Sequence, residues 1–93
     1  MSDSDREARD RDRRKRLRYR SWRRGTREMD LLLGGFADRH LASLSPGQLD
    51  RLEALLEIGD PELYGWLRGF GPVPEAYDND VLALMRNFKF SPE

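Results

Sequence analysis

The chain has 93 residues, no cysteine, one histidine, and 17 basic side chains against 17 acidic ones. That length holds one small domain, and the lack of cysteine excludes disulfide staples, thiol chemistry and Cys-based metal clusters. Leu occurs 14 times while Val, Ile and Thr together occur four times; strands favour β-branched residues and helices favour Leu, so an all-α protein is predicted.

No apolar run approaches the roughly 20 residues that span a bilayer. The acidic opening Met1-Ser2-Asp3-Ser4-Asp5 lacks the apolar stretch of a secretory signal. A soluble, cytoplasmic, bacterial protein is expected. The zero net charge hides an asymmetry: residues 1–28 carry 12 Lys/Arg and 6 Asp/Glu, whereas residues 29–93 carry 5 and 11. Only five of the first 28 residues are apolar, against 30 of the remaining 65. The chain therefore reads as a charged leader over residues 1–12, disordered or a frayed helix, ahead of a helical domain over 13–93. A basic end on an acidic body bears on partners and not on fold.

The segment Arg13 to Arg24 consists of good helix formers with arginine on every side of the helical wheel. It is read as a helix held by Leu17 with Ser21 and by Tyr19 with Trp22. From about Thr26 to Leu41, residues Met29, Leu32, Leu33, Phe36, Ala37, His40 and Leu41 form one apolar stripe at helical spacing. Gly34-Gly35 interrupts it at about 1 kcal/mol per glycine relative to Ala. Either a neighbouring helix packs closely there or the helix bends, and close packing is the favoured reading.

The next helix opens with Ser45 as cap, Pro46 at the first helical position and Gln48 where a capping box needs it. Leu44 and Leu49 complete a hydrophobic staple; Leu49, Leu52, Leu55 and Leu56 form the buried face, and Gly59 ends it. Asp60 and Pro61 start a short helix through Leu63, Tyr64, Trp66 and Leu67 to Gly69. A Gly- and Pro-bearing linker follows. Asp78 or Asp80 then caps a last helix on which Val81, Leu84, Met85 and Phe88 share a face. The sum is a compact bundle of about five short helices in a single domain.

Chemistry has few candidates. His40 lies on an apolar stripe and reads as a packed histidine, not a ligand or base. Asp78-Asn79-Asp80 resembles the start of a calcium loop, but Ala83 stands where that loop needs Gly and Lys89 where it needs Glu. No catalytic or metal-ligating set emerges, so the chain is not expected to be an enzyme. The basic segment with Tyr19 and Trp22 interleaved is a candidate for nucleic-acid or ribosome contact, diluted by Asp5, Glu7, Asp10 and Asp12 and opposed by the acidic body.

The junction Arg23-Arg24-Gly25-Thr26-Arg27-Glu28 is the most informative stretch. A glycine between two helices permits φ > 0 and lets another backbone approach without a Cβ in the way. Arg24 and Glu28 would stand on either side of that gap, one a planar donor fork and the other an acceptor. A plain corner, with Glu28 capping its own helix amides, is the other reading of the same residues.

Arg24-Gly25-Thr26-Arg27-Glu28 matches an R-G-x-x-E signature. Together with Arg16 to Asp30 and with L-L-E-x-x-D-P-E-L-Y-x-W-L-x-G from Leu55 to Gly69, it resembles the SdhE-type flavin-attachment assembly factors of succinate dehydrogenase and their mitochondrial relatives. The resemblance covers about residues 16–90. It implies a five-helix, non-catalytic chaperone that binds the flavoprotein subunit of succinate dehydrogenase, and often that of fumarate reductase. It also implies that FAD becomes covalently attached to that partner and is not held stably by this chain. By motif position Arg24, Gly25 and Glu28 would form the contact surface, flanked by Trp22, Arg23 and Asp30. No membrane contact and a monomeric state are expected, and nucleic acid is the alternative partner. A third class, a small carrier of free FAD, would give a yellow purified protein.

Overall fold

The arginine-rich leading segment forms a single long helix, α1 (Asp3–Trp22), in the computed structural model, which describes residues 3–88. Met1, Ser2 and residues 89–93 of the two expected segments lie outside the described residues. The helix begins at Asp3, well ahead of the expected start at Arg13. Asp3 and Asp5 lie in its first turn, where carboxylates complement the helix dipole. Asp10 pairs with Arg14 one turn on at 2.7 Å, and that hydrogen bond holds the Asp10 carboxyl below its usual range.

Four further helices follow: α2 (Arg27–His40), α3 (Pro46–Leu56), α4 (Asp60–Arg68) and α5 (Asp80–Asn87). Short 3-10 turns occur at Leu41–Ser43 and Glu75–Tyr77. The described residues contain no strand. The all-helical class and the five-helix count agree with the composition and periodicity.

The expected capping box on α3 is present, with Ser45 Oγ accepting from Gln48 N at 3.2 Å and Gln48 Oε1 accepting from Ser45 N at 2.9 Å. Two caps differ from expectation. Gly59, not Asp60, occupies the N-cap of α4, because the Asp60 carboxylate is drawn to Arg24 at 2.7 Å. Asn79, not Asp78 or Asp80, caps α5, its Oδ1 accepting from Val81 N and Leu82 N at 3.1 Å each. Asp80 instead ties α5 to α3 by accepting from Gln48 Nε2 at 2.9 Å and Arg51 Nη1 at 3.1 Å. The Gln48 hydrogen bond, followed by the Arg51 charge, keeps the Asp80 carboxyl below its usual range.

Phe36 and Leu33 of α2, Leu49, Leu52 and Leu55 of α3, Leu63 of α4, and Val81 and Leu82 of α5 are essentially inaccessible and form one core. Leu17 and Ser21 are the residues that α1 buries, and Ser21 Oγ donates to Leu17 O at 2.8 Å. Burial of two leading-helix residues is a small apolar contribution, so polar contacts do much of the docking of α1. Arg14 donates to Leu41 O at 2.5 Å and to Leu44 O at 3.0 Å, and Arg18 reaches Asp38 at 2.6 Å. These contacts descend α2 as α1 is climbed, so the two helices form an antiparallel hairpin. On the other flank Arg13 meets Asp50, Arg20 meets Glu57 and Arg24 meets Asp60. That ascending ladder sets α1 alongside α3 in the same direction. His40 packs with its ring centroid 4.9 Å from that of Phe36 and 6.2 Å from that of Phe88, the packed role expected of it.

Candidate partner-docking site

Between α1 and α2 the chain reverses within a few residues. Thr26 is extended (φ −123°, ψ 146°) and caps α2 by accepting from Met29 N at 3.3 Å. Gly25 has φ 112°, and a Cβ added there would meet nothing within 4 Å. Backbone geometry, not crowding, therefore demands glycine, and its peptide faces open solvent.

The turn is held from beneath. Asp30, one turn into α2, accepts from Arg24 N at 2.6 Å and from Gly25 N at 3.2 Å through the same oxygen. Arg24 itself corrects an expectation. Its guanidinium is not an outward donor fork: the side chain is 10% exposed and turns into the molecule. It donates to Leu56 O and Ile58 O at 2.5 Å each, and from Nε to Asp60 Oδ1 at 2.8 Å. These acceptors are the end of α3, the α3–α4 connection and the start of α4, three groups that one planar fork can satisfy together. Arg24 thus bolts the corner to the body.

Glu28 faces outward and does not cap its own helix, since Thr26 fills that role. It accepts from Tyr64 Oη at 2.9 Å, and that bond pushes the Tyr64 phenol above its ordinary range. Arg68 stands 5.8 Å over the Tyr64 ring. Glu28 also edges a groove floored by Leu32, Phe36, Met85 and Phe88. Arg23 is exposed and stacks 4.7 Å over the ring of Tyr19, which is 61% exposed. Tyr19 was expected to help anchor α1 and does not: successive α1 residues turn by about 100°, which places it opposite Leu17 and Ser21.

Trp22 closes the corner against α2. A Cβ at Gly34 would fall within 2.5 Å of Trp22 Cε3 and nearer still to Cδ2 and Cε2. Gly34 is therefore a seat for the indole, as the close-packing reading of Gly34-Gly35 requires. Trp22 Nε1 donates to Asp38 Oδ1 at 3.2 Å. Gly34→Ala is expected to displace the ring, with a net loss of about 1–3 kcal/mol despite the better helix propensity of Ala. The checks are a lowered melting temperature together with a red shift in tryptophan emission, since Trp66 stays buried at 7% exposure.

Of the six expected site residues, Gly25, Glu28 and Arg23 present themselves at the surface, while Arg24, Asp30 and Trp22 hold the corner in shape. Tyr64, Arg68 and Asp60 are neighbours that reading along the chain missed. The separations of 36 residues between Tyr64 and Glu28 and between Asp60 and Arg24 leave no local signal. Among the described residues no group of three or more His, Cys, Asp or Glu could hold a metal ion, and no helix is long and apolar enough to cross a membrane.

An open backbone corner on a rigid helical frame is a surface suited to another polypeptide. A family described as the flavinator of succinate dehydrogenase matches residues 15–89, and the chain belongs to this family. It is 41% identical over 73 residues to the FAD assembly factor SdhE of Acetobacter pasteurianus, covering 78% of this chain and 67% of that one. It is 39% identical over 74 residues to the mitochondrial succinate dehydrogenase assembly factor 2 of Dictyostelium discoideum, covering 80% and 52%. The corresponding factor of Candida glabrata is 40% identical over 84 residues, covering 86% and 55%. The chain thus spans about half the length of these mitochondrial relatives. No solved structure matches.

Proposed function

We propose that this chain is a non-catalytic assembly factor that binds the flavoprotein subunit of succinate dehydrogenase and promotes covalent attachment of FAD to it. The family membership and the names of its relatives support the client and the process. The carrying observation is the Gly25 corner, whose exposed peptide at φ 112° is fixed by Asp30 and Arg24 before any partner arrives. A preshaped corner loses little conformational freedom on docking.

The attachment chemistry belongs to the partner's own groups. The factor has only to bind the partner arrangement in which flavin and acceptor side chain meet, and each 1.4 kcal/mol of preference shifts that population about tenfold. In this reading FAD stays with the partner, the factor works as a monomer in the bacterial cytoplasm, and the fumarate reductase flavoprotein is a second client. The nucleic-acid reading is weaker on this geometry, because Arg13, Arg14, Arg18, Arg20 and Arg24 all have acceptors within the chain.

Deletion of the gene tests the proposal. Covalently bound flavin on the succinate dehydrogenase subunit, read by in-gel fluorescence, is expected to fall severalfold and to return when the chain is supplied from a plasmid. Unchanged covalent flavin in the deletion strain would overturn it.

A further inference from the structure

The cations between Arg13 and Arg27 divide into two sets. Arg13, Arg14, Arg18, Arg20 and Arg24 each meet an acceptor within the chain. Lys15, Arg16 and Arg23 are exposed and form no ion pair among the described residues, and the same holds for Arg27 just past the corner. The unpaired set is not scattered. At 100° per residue, Lys15, Arg16 and Tyr19 fall on the side of α1 opposite Leu17 and Ser21, and Arg23, just past the helix end, stacks on the Tyr19 ring. This outer face carries the 61%-exposed Tyr19 ring with the Arg23 guanidinium stacked on it, and it runs directly into the open peptide of Gly25. The ion pairs that dock α1 leave these cations unneutralised on a chain whose remaining body carries excess acid.

We infer that Lys15, Arg16, Tyr19, Arg23 and Arg27 form a recognition strip for an acidic segment of the flavoprotein partner, continuous with the Gly25 corner. The inference rests on the function proposed above and adds the chemistry of the surface that must face this one. Charge complementarity selects an anionic occupant. The dimensions favour a polypeptide over nucleic acid: Lys15 to Arg23 spans about 12 Å of helix axis, enough for one helix or loop and short for a tracked phosphate backbone. Tyr19 supplies an amphipathic contact between the cations, the kind of residue that anchors protein interfaces.

The test is binding of the purified flavoprotein subunit to the full chain across a salt series. Wild type is compared with the charge reversal K15E/R16E/R23E, with Y19A, and with the control reversal R6E/R39E placed elsewhere on the exposed surface. The strip reversal is expected to weaken binding by at least about 30-fold at low salt and to flatten its salt dependence, while the control changes affinity less than about threefold. Y19A is expected to weaken binding about tenfold. The reversed side chains have no ion pairs to lose, so helicity and melting should hold. Should the reversal fail to fold, K15Q/R16Q/R23Q is expected to show about a tenfold loss.

Strip variants that bind within threefold of wild type, while wild type binds well, would overturn the strip alone. Wild type that fails to bind the flavoprotein would overturn the function it rests on as well. Tighter binding of a short single-stranded RNA than of the flavoprotein, abolished by the same reversal, would overturn the assignment to a protein partner. So would salt-sensitive self-association that the reversal abolishes without changing flavoprotein binding.

Discussion

Covalent flavin on the succinate dehydrogenase subunit is expected to fall severalfold, close to the deletion level, when Gly25 is replaced by arginine. Two effects act at this position and can be separated. Any side chain forced to φ 112° strains the backbone by about 1–3 kcal/mol, which lowers the melting temperature by roughly 4–8 °C per kcal/mol in a domain of this size. Gly25→Ala carries that strain with a single methyl group. Gly25→Arg carries the same strain and also fills the open space beside the peptide, where a Cβ has no neighbour within 4 Å. The two variants should therefore melt alike, while the arginine variant supports far less flavin attachment than the alanine one. Normal attachment by a folded G25R chain would remove the corner from the docking surface.

The largest stability change is expected at Arg24. Its guanidinium is 10% exposed and satisfies Leu56 O, Ile58 O and the Asp60 carboxylate together. Arg24→Ala strands all three acceptors, and Asp60, itself only 22% exposed, loses its countercharge. Breaking a largely desolvated pair while orphaning carbonyls should destabilise the chain by about 2–4 kcal/mol. Thermal unfolding should drop by about 8–30 °C on the scale of roughly 4–8 °C per kcal/mol. Arg24→Lys should recover little, because an ammonium cannot present the same planar fork to three acceptors. A variant that lost flavin attachment but melted like wild type would return Arg24 to the partner surface. The same measurement thus distinguishes an arginine that builds the corner from one that touches the client.

The charged residues of the R-G-x-x-E segment show how far a sequence motif reaches. Its spacing places Gly25 at a corner and Glu28 in the first turn of α2, and both stand where that spacing implies. It carries no information on which way Arg24 points. That direction depends on the carbonyls of Leu56 and Ile58, which enter reach only when α3 and α4 pack beside α1. The caps follow the same division. Ser45 and Gln48 satisfy neighbouring amides and are legible locally. Asp60 looks like a cap along the chain but forms an ion pair with Arg24, and Asn79 takes the cap that either flanking aspartate could have held.

The all-helical class, the five helices, the buried leucine faces and the glycine turn were determined by the sequence itself, because each depends on contacts within one or two turns of chain. Tertiary structure alone decided the inward Arg24, the Gly34 seat for Trp22, the Tyr64 partner of Glu28, and the division of α1 cations into paired and unpaired faces. Each is a choice among chemically equivalent partners. Only the packing of distant helices brings one acceptor or one surface within the few ångströms where hydrogen bonds and van der Waals contacts act.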